Sequence, residues 1–246
     1  MLARTLSVMG SSALLLAAAA MPASAQTWDA STGWSATSNP TGTGWSYGSS
    51  NTLGGFDVLT THGNLPNCGG SNVSVDCWYT PSTTDFTTAD IYHNPTGTTQ
   101  SIDGGHSIRA GTLMEMTRSA GYAIVRWTAP STGAFDVTGS FVCDAGDCTT
   151  ATGGYLLANG TQLFRTTSLG GAGGSFDWVG LALTAGSTVD FVVDNSNGQN
   201  SSTAELTADI TEEGSITTTP EPSSMALLGT GLIGLVPMVR RRRDKR

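Results

Sequence analysis

The chain has 246 residues, only 12% of them charged, and a formal net charge of −8. From residue 26 to residue 219 the imbalance is sharper: four arginines and no lysine stand against 17 acidic residues, a net of −13. So acidic a body is repelled by phosphate backbones, which excludes nucleic-acid binding, and its length suits one ordinary domain rather than two generous ones.

Residues 1–25 read as a secretory signal peptide. Arg4 supplies a positive start, Leu6 to Met21 an apolar stretch, and Ala23-Ser24-Ala25 a small-residue cleavage site, leaving Gln26 as the expected mature N-terminus. No Cys follows that site, which argues against a lipid-modified N-terminus. The chain is therefore expected to be exported, into a compartment where cysteines oxidise.

Residues 26–211 are predicted to form an all-β, antiparallel β-sandwich of jelly-roll-like kind. No window of this body sustains a 3.6-residue period, and alternation of period two recurs between turns. Asn39 to Ser50 is rich in Gly, Ser, Thr and aromatics and is expected to wrap the sandwich. Ala123, Val125, Trp127 and Ala129 share one face, with Tyr122, Arg126 and Thr128 on the other. After the turn at Pro130-Ser131-Thr132-Gly133, Phe135, Val137, Phe141 and Cys143 alternate with Asp136, Thr138, Ser140 and Asp144. Asn159-Gly160 marks a two-residue hairpin. Val189, Phe191 and Val193 alternate with Thr188, Asp190 and Asp194. Ala204, Leu206, Ala208 and Ile210 alternate with Glu205, Thr207 and Asp209. The polar sets are expected on solvated faces. About ten short strands at this spacing suit a sandwich or jelly roll.

Four cysteines allow three connectivities. Proximity favours Cys68–Cys77 and Cys143–Cys148, each stapling a Gly-containing loop; a zinc site would need tighter C-x-x-C knuckles.

Gly44-Trp45-Ser46-Tyr47-Gly48 fits G-x-S-x-G, a pattern that works only on a strand–turn–helix. Ser-Ser-Asn-Thr-Leu-Gly-Gly follows it, which will not form a helix, so no catalytic residue is assigned. His62, His93 and His106 lie in loop-like contexts without metal-ligand spacing, and surface positions are expected for them. Asp194-Asn195-Ser196-Asn197-Gly198 fails the EF-hand register and is explained as a turn. Structural calcium there or at Asp144 and Asp147 is the one cofactor entertained; otherwise no cofactor and no metal site is expected. Aromatics gather early in the chain, and Trp45, Tyr47, Trp78 and Tyr79 are the candidates for stacking on sugar rings. Trp78 and Tyr79 are strand neighbours, so at least one of the two is expected to be exposed. A catalytic alternative, a hydrolase or lyase on the same scaffold, would need paired carboxylates among Asp136, Asp144, Asp177, Asp190 and Asp209.

Residues 212–219 form a short tether, and residues 220–246 carry the clearest message in the chain. Pro220-Glu221-Pro222 precedes an uncharged, mostly apolar run, residues 223–239, expected to be a single transmembrane helix. Its 17 residues span roughly 25 Å at about 1.5 Å per residue, near the lower limit for a bilayer core. Arg240, Arg241, Arg242 and Arg243 close the run and place the tail on the cytoplasmic side.

Motif, weak span and basic stop together closely resemble the PEP-CTERM sorting signal of Gram-negative bacteria. The resemblance implies an exosortase as processing partner, transient residence in the inner membrane, and a final place at the cell surface or in extracellular matrix. A looser resemblance, carried by Trp45-Ser46-Tyr47-Gly48, Tyr122–Pro130 and Gly133–Phe141, is to ectodomains attached to such signals, which are like jelly-roll carbohydrate-binding modules. It implies a non-enzymatic surface or matrix protein with extracellular polysaccharide as a possible partner. A purely structural or adhesive surface protein is the remaining alternative.

Overall fold

A computed structural model describes residues 25–64, 68, 74–81, 89–102, 106–117, 121–143, 152–167, 169, 173–195 and 202–214. The signal peptide, the span at 223–239, the sorting motif and the arginine stop lie outside them. The described residues contain sixteen strands and no helix.

One sheet has the order β14 (Gly174–Leu183), β11 (Gly133–Val142), β16 (Ser202–Glu212), β9 (Leu113–Thr117), β6 (Asp90–His93), β5 (Asp76–Tyr79) and β4 (Thr61–Asn64); β1 (Thr27–Asp29) also pairs with β16. The second sheet runs β13 (Thr161–Thr166), β12 (Thr152–Ala158), β15 (Thr188–Asn195), β10 (Tyr122–Thr128), β2 (Trp45–Ser50) and β3 (Asp57–Val58). A small ribbon joins β7 (Gln100–Ser101) to β8 (Ser107–Ile108). Every pairing is antiparallel. From β9 to β12, and again from β13 to β16, the chain changes sheet at each step, which gives the sandwich its jelly-roll character.

The period-two residues make the core. Ala123, Val125 and Trp127 of β10 and Val189, Phe191 and Val193 of β15 face Phe135, Val137 and Phe141 of β11 and Ala204, Leu206, Ala208 and Ile210 of β16 in one buried cluster. Trp28, Trp127 and Phe135 pack with ring centroids 5.1–6.1 Å apart, within the range where aromatic pairs add to area burial. The Asn159-Gly160 turn takes φ of 48° and 76°, the positive pair that a tight hairpin with right-handed strand twist demands.

Three expectations need correction. Trp45–Ser50 does not wrap the sandwich; it is strand β2 inside the second sheet, paired on both sides by β10 and β3. Asp190, Asp194 and Glu205 are not solvated: each is at most 3% exposed. The outer faces of both sheets are covered where these acids lie. On the first sheet, Cys68, Val75, Cys77, Tyr92, Ile102, Ile108, Met114 and Met116 form a second buried cluster. On the other, Ile124, Tyr155, Leu157 and Val192 are packed by Phe56 and Tyr122. The histidines, finally, are not surface-loop residues: His93 ends β6 and is buried, His62 is half-buried on β4, and His106 is buried.

Cys68 and Cys77 are joined, with Cα atoms 6.6 Å apart. Cys143 is also disulfide-bonded. Its expected partner, Cys148, lies outside the described residues.

Candidate functional site

The sugar-stacking candidates are placed by strand alternation, but both faces of their strands are filled. Trp45 and Tyr47 point into the central core and are fully buried. Trp78 turns into the same core, its indole N–H donating to the Ser35 carbonyl at 2.8 Å. Tyr79 turns the other way and is half-buried against the second cluster. Neither member of the Trp78–Tyr79 pair is exposed, because the first sheet carries a covering layer outside as well as a core inside. The flat faces of Trp45, Tyr47 and Trp78 are thus not presented to a ligand.

Where β2, β4, β5 and β6 meet the segment that follows β1, aromatic and imidazole rings gather around Trp34. Its ring lies 4.4 Å from Tyr47, 5.1 Å from His93 in a stacked arrangement, and 6.4 Å from His62, which meets Trp78 edge-on at 5.2 Å. His93 Nε2 shares a hydrogen bond with the Ser31 hydroxyl at 3.2 Å. Burial lowers the His93 pKa, opposed by the charges of Asp76 and Asp29, and burial raises that of Tyr47. Four buried atoms here have no hydrogen-bond partner: Trp34 Nε1, Tyr47 Oη, His62 Nε2 and His93 Nδ1. The arrangement tacks the N-terminal segment onto the sheet.

Over the outer face of the second sheet, the segment after β2 folds back so that Gly54 approaches Gly160 and Phe56 lies on Gly48, where any Cβ would meet the Phe56 ring. Phe56 also stacks on the Arg126 guanidinium, 4.0 Å from ring centroid to Cζ. Beneath it, Arg126 Nε and Nη2 donate to Asp190 Oδ1 and Oδ2 at 2.6 and 2.8 Å. Asp194 accepts from the Gly153 amide at 2.7 Å and the Tyr155 hydroxyl at 2.8 Å. Burial, followed by this bond, pushes the Tyr155 pKa up to about 12. Asp194 is thus bonded within the sheet, one partner to each oxygen; residues 196–198, Asp144 and Asp147 of the calcium candidates lie outside the described residues. Among the described residues there is no group of three or more His, Cys, Asp or Glu that could hold a metal.

Among the described residues, Asp136, Asp177 and Asp209 have separate partners. Asp136 Oδ1 accepts from the Gly180 amide. Asp177 pairs in register with Thr138 on β11, and Asp209 stands opposite Asp29 across the β1–β16 ladder. Burial, then the charge and hydrogen bond of Asp29, raise the Asp209 pKa. Ser46 is buried in the middle of an antiparallel sheet, with none of the strand–turn–helix exposure that a nucleophilic serine needs.

Sequence reading missed two features. Glu115 on β9 is completely buried, flanked in register by Ala204 and Ile91, with the Val193 backbone as a polar neighbour of its carboxyl. Burial raises its pKa well above the ordinary value; the Val193 backbone offsets part of this and the charge of Asp190 adds to it. Trp178, on edge strand β14, is 38% exposed and its neighbour Val179 is 68% exposed. Trp178 sits in a run of alternating polar and apolar residues like any core-facing strand, and its place on an edge strand beside a register shift leaves it open.

Residues 218–243 match the PEP-CTERM protein-sorting motif. No curated protein sequence matches the chain. Among solved structures, the chain is similar to a family 35 carbohydrate binding module from Clostridium thermocellum, at 16% identity over 50% of this chain and 90% of that one, with a TM-score of 0.29. It is also similar to a β-glucosidase from Kluyveromyces marxianus in complex with glucose, at 13% identity over 72% of this chain and 21% of that one, with a TM-score of 0.25. The fold assignment rests on the strand pairings themselves.

Proposed function

We propose that this chain is an exported, non-enzymatic surface or matrix protein, released or transferred by an exosortase at Pro220-Glu221-Pro222 and then held in extracellular polysaccharide. The carrying observation is the sorting motif at 218–243, which follows within a few residues the last strand of a β-sandwich, Ser202–Glu212. A signal peptide at one end and a sorting signal at the other leave the sandwich as the part delivered outside.

Polysaccharide retention would use rings outside the core. Tyr79, Phe56 and Tyr122 are half-buried and Trp178 is more open than these, with Asp177 beside Trp178 on β14 and Asp136 on neighbouring β11 to accept sugar hydroxyls. One stacked ring contributes about 1 kcal/mol beyond area burial, so retention depends on many copies or many repeat units acting together.

Two measurements test this. Glu221→Ala should leave the precursor in the inner membrane, and mass spectrometry of the external native protein should find Gln26 at its start and no Arg240–Arg246 tail. An intact C-terminus in the external fraction sinks the sorting part. Retention of the mature protein on the organism's own exopolysaccharide should fall several-fold for Trp178→Ala or Tyr79→Ala. If neither change alters retention at unchanged melting temperature, a purely structural or adhesive role takes its place.

A further inference from the structure

We infer that, while the precursor is still anchored, Trp178 and Val179 rest in the interfacial zone of the bilayer, so that the sandwich docks on the lipid surface beside its own exit strand. The inference rests on the reading of residues 220–246 as a membrane-resident sorting signal.

Among the described residues the large hydrophobic side chains left exposed are Leu53, Val58, Trp178 and Val179, and the last two are consecutive. Neighbours on a regular strand point to opposite faces. Here β14 carries an irregularity: Val137 of β11 pairs with Trp178, yet Phe135 pairs with Leu181, so β14 holds one extra residue between them. Gly180, at φ 70°, takes the left-handed backbone that this bulge needs. A bulge on an edge strand lets both Trp178 and Val179 reach solvent.

The position of this pair is fixed relative to the end of the body. Val137 pairs with Ile210 on its other side and Phe135 with Glu212, so Trp178 stands level with Ile210, two residues before the strand ends. The Glu213 amide donates to the Ala134 carbonyl at 2.9 Å. A Cβ on Gly180 would stand 3.6 Å from Glu213 Oε1. The chain therefore leaves the sandwich alongside the exposed pair. Eight residues lie between Gly214 and Ser223, a reach of at most ~30 Å when fully extended. A tether this short holds the patch at an effective concentration of about millimolar or more near the surface, where even weak partition is populated.

The chemistry selects the interface. Tryptophan favours the headgroup level, where its ring is apolar and its N–H is solvated, and valine adds apolar area. Asp136, Asp177 and Glu213 nearby would be repelled by anionic lipid, so a zwitterionic surface fits best.

The test uses the full precursor reconstituted in phosphatidylcholine vesicles, with lipids brominated near the headgroup end of their acyl chains as quenchers of tryptophan fluorescence. Part of the emission should be quenched, and Trp178→Phe should abolish that part, since the other five tryptophans lie in or against the core. Val179→Asp should reduce it at least twofold while keeping the indole. Quenching that is absent, or unchanged in Trp178→Phe, overturns the inference. So does a concentration-dependent protection of Trp178 without lipid, which would make a second copy the occupant. Flotation with the vesicles separates the two claims: a precursor that floats without Trp178 quenching defeats the docking alone, and one that does not float defeats the anchor and the docking together.

Discussion

Arg126 and Asp190 face each other across neighbouring strands and close a two-point ion pair on the outer face of the second sheet, with 2.6 and 2.8 Å bonds. Asp190 is 1% exposed and the guanidinium is roofed by Phe56. Such a pair adds little over well-packed apolar residues, but losing one member strands the other charge. Arg126→Ala should therefore destabilise by about 3–5 kcal/mol. The double change Arg126→Met with Asp190→Leu should recover most of that. Urea unfolding of the native protein and the two variants checks this, and a double variant as unstable as the single one would contradict it.

Glu115 predicts an unusual pH dependence. Its pKa is raised in the folded state, so below the unfolded pKa of about 4.3 both states hold the proton and the folded protein suffers no penalty. Above that value the unfolded chain ionises while the core keeps its proton. Stability then falls as pH rises, by up to about 1.4 kcal/mol per unit, until the folded pKa is reached. His93, with a lowered pKa, acts in the opposite sense below about pH 6.5, where falling pH removes stability. Glu115→Gln should be more stable than the native protein at neutral pH, and its stability should fall less as pH rises from about 4.3. Unfolding at several pH values reads both effects, and parallel curves would refute them.

Tryptophans 78 and 178 should separate stability from surface chemistry. Trp78→Ala removes a 5% exposed ring from the central core and should cost about 3–5 kcal/mol. Trp178→Ala should cost only about 1–2 kcal/mol, because much of its area is already in water. Differential scanning calorimetry of the two variants decides the order.

The Cys68–Cys77 bridge is part of the outer cluster, where Tyr92 Oη also donates to the Cys68 carbonyl. With a sequence separation of 9 it should contribute about 2–3 kcal/mol, seen as a lower urea midpoint in Cys68→Ser with Cys77→Ser. Peptide mapping without reductant should recover this bridge and Cys143–Cys148; free thiol at Cys148 would count against the second pairing.

Alternation made the inward rows of β10, β11, β15 and β16 readable, because each strand declares its own core face. The Asn159-Gly160 turn was equally local. What escaped the sequence depends on partners far along the chain. Asp190 reads as a solvated residue until Arg126, 64 positions away, lies beside it. Glu205 reads likewise until it meets Arg109, 96 positions away. Trp78 and Tyr79 carry no local sign that both faces of their strand are covered. Trp178 carries none that its strand lies at an edge, since edge position is a property of sheet order and not of composition.

Strand β1 begins at Thr27 and pairs with the end of β16, and the Glu212 backbone amide donates to the Gln26 carbonyl. The first and last strands of the body are thus zipped together, and β16 itself lies between β11 and β9 in the interior of its sheet. The sheet can therefore be completed only when residues 202–212 are present, and eight positions later comes Pro220. The sorting signal follows the strand that completes the domain almost at once, so the order of synthesis itself makes the completed fold and the arrival of the processing site nearly simultaneous events.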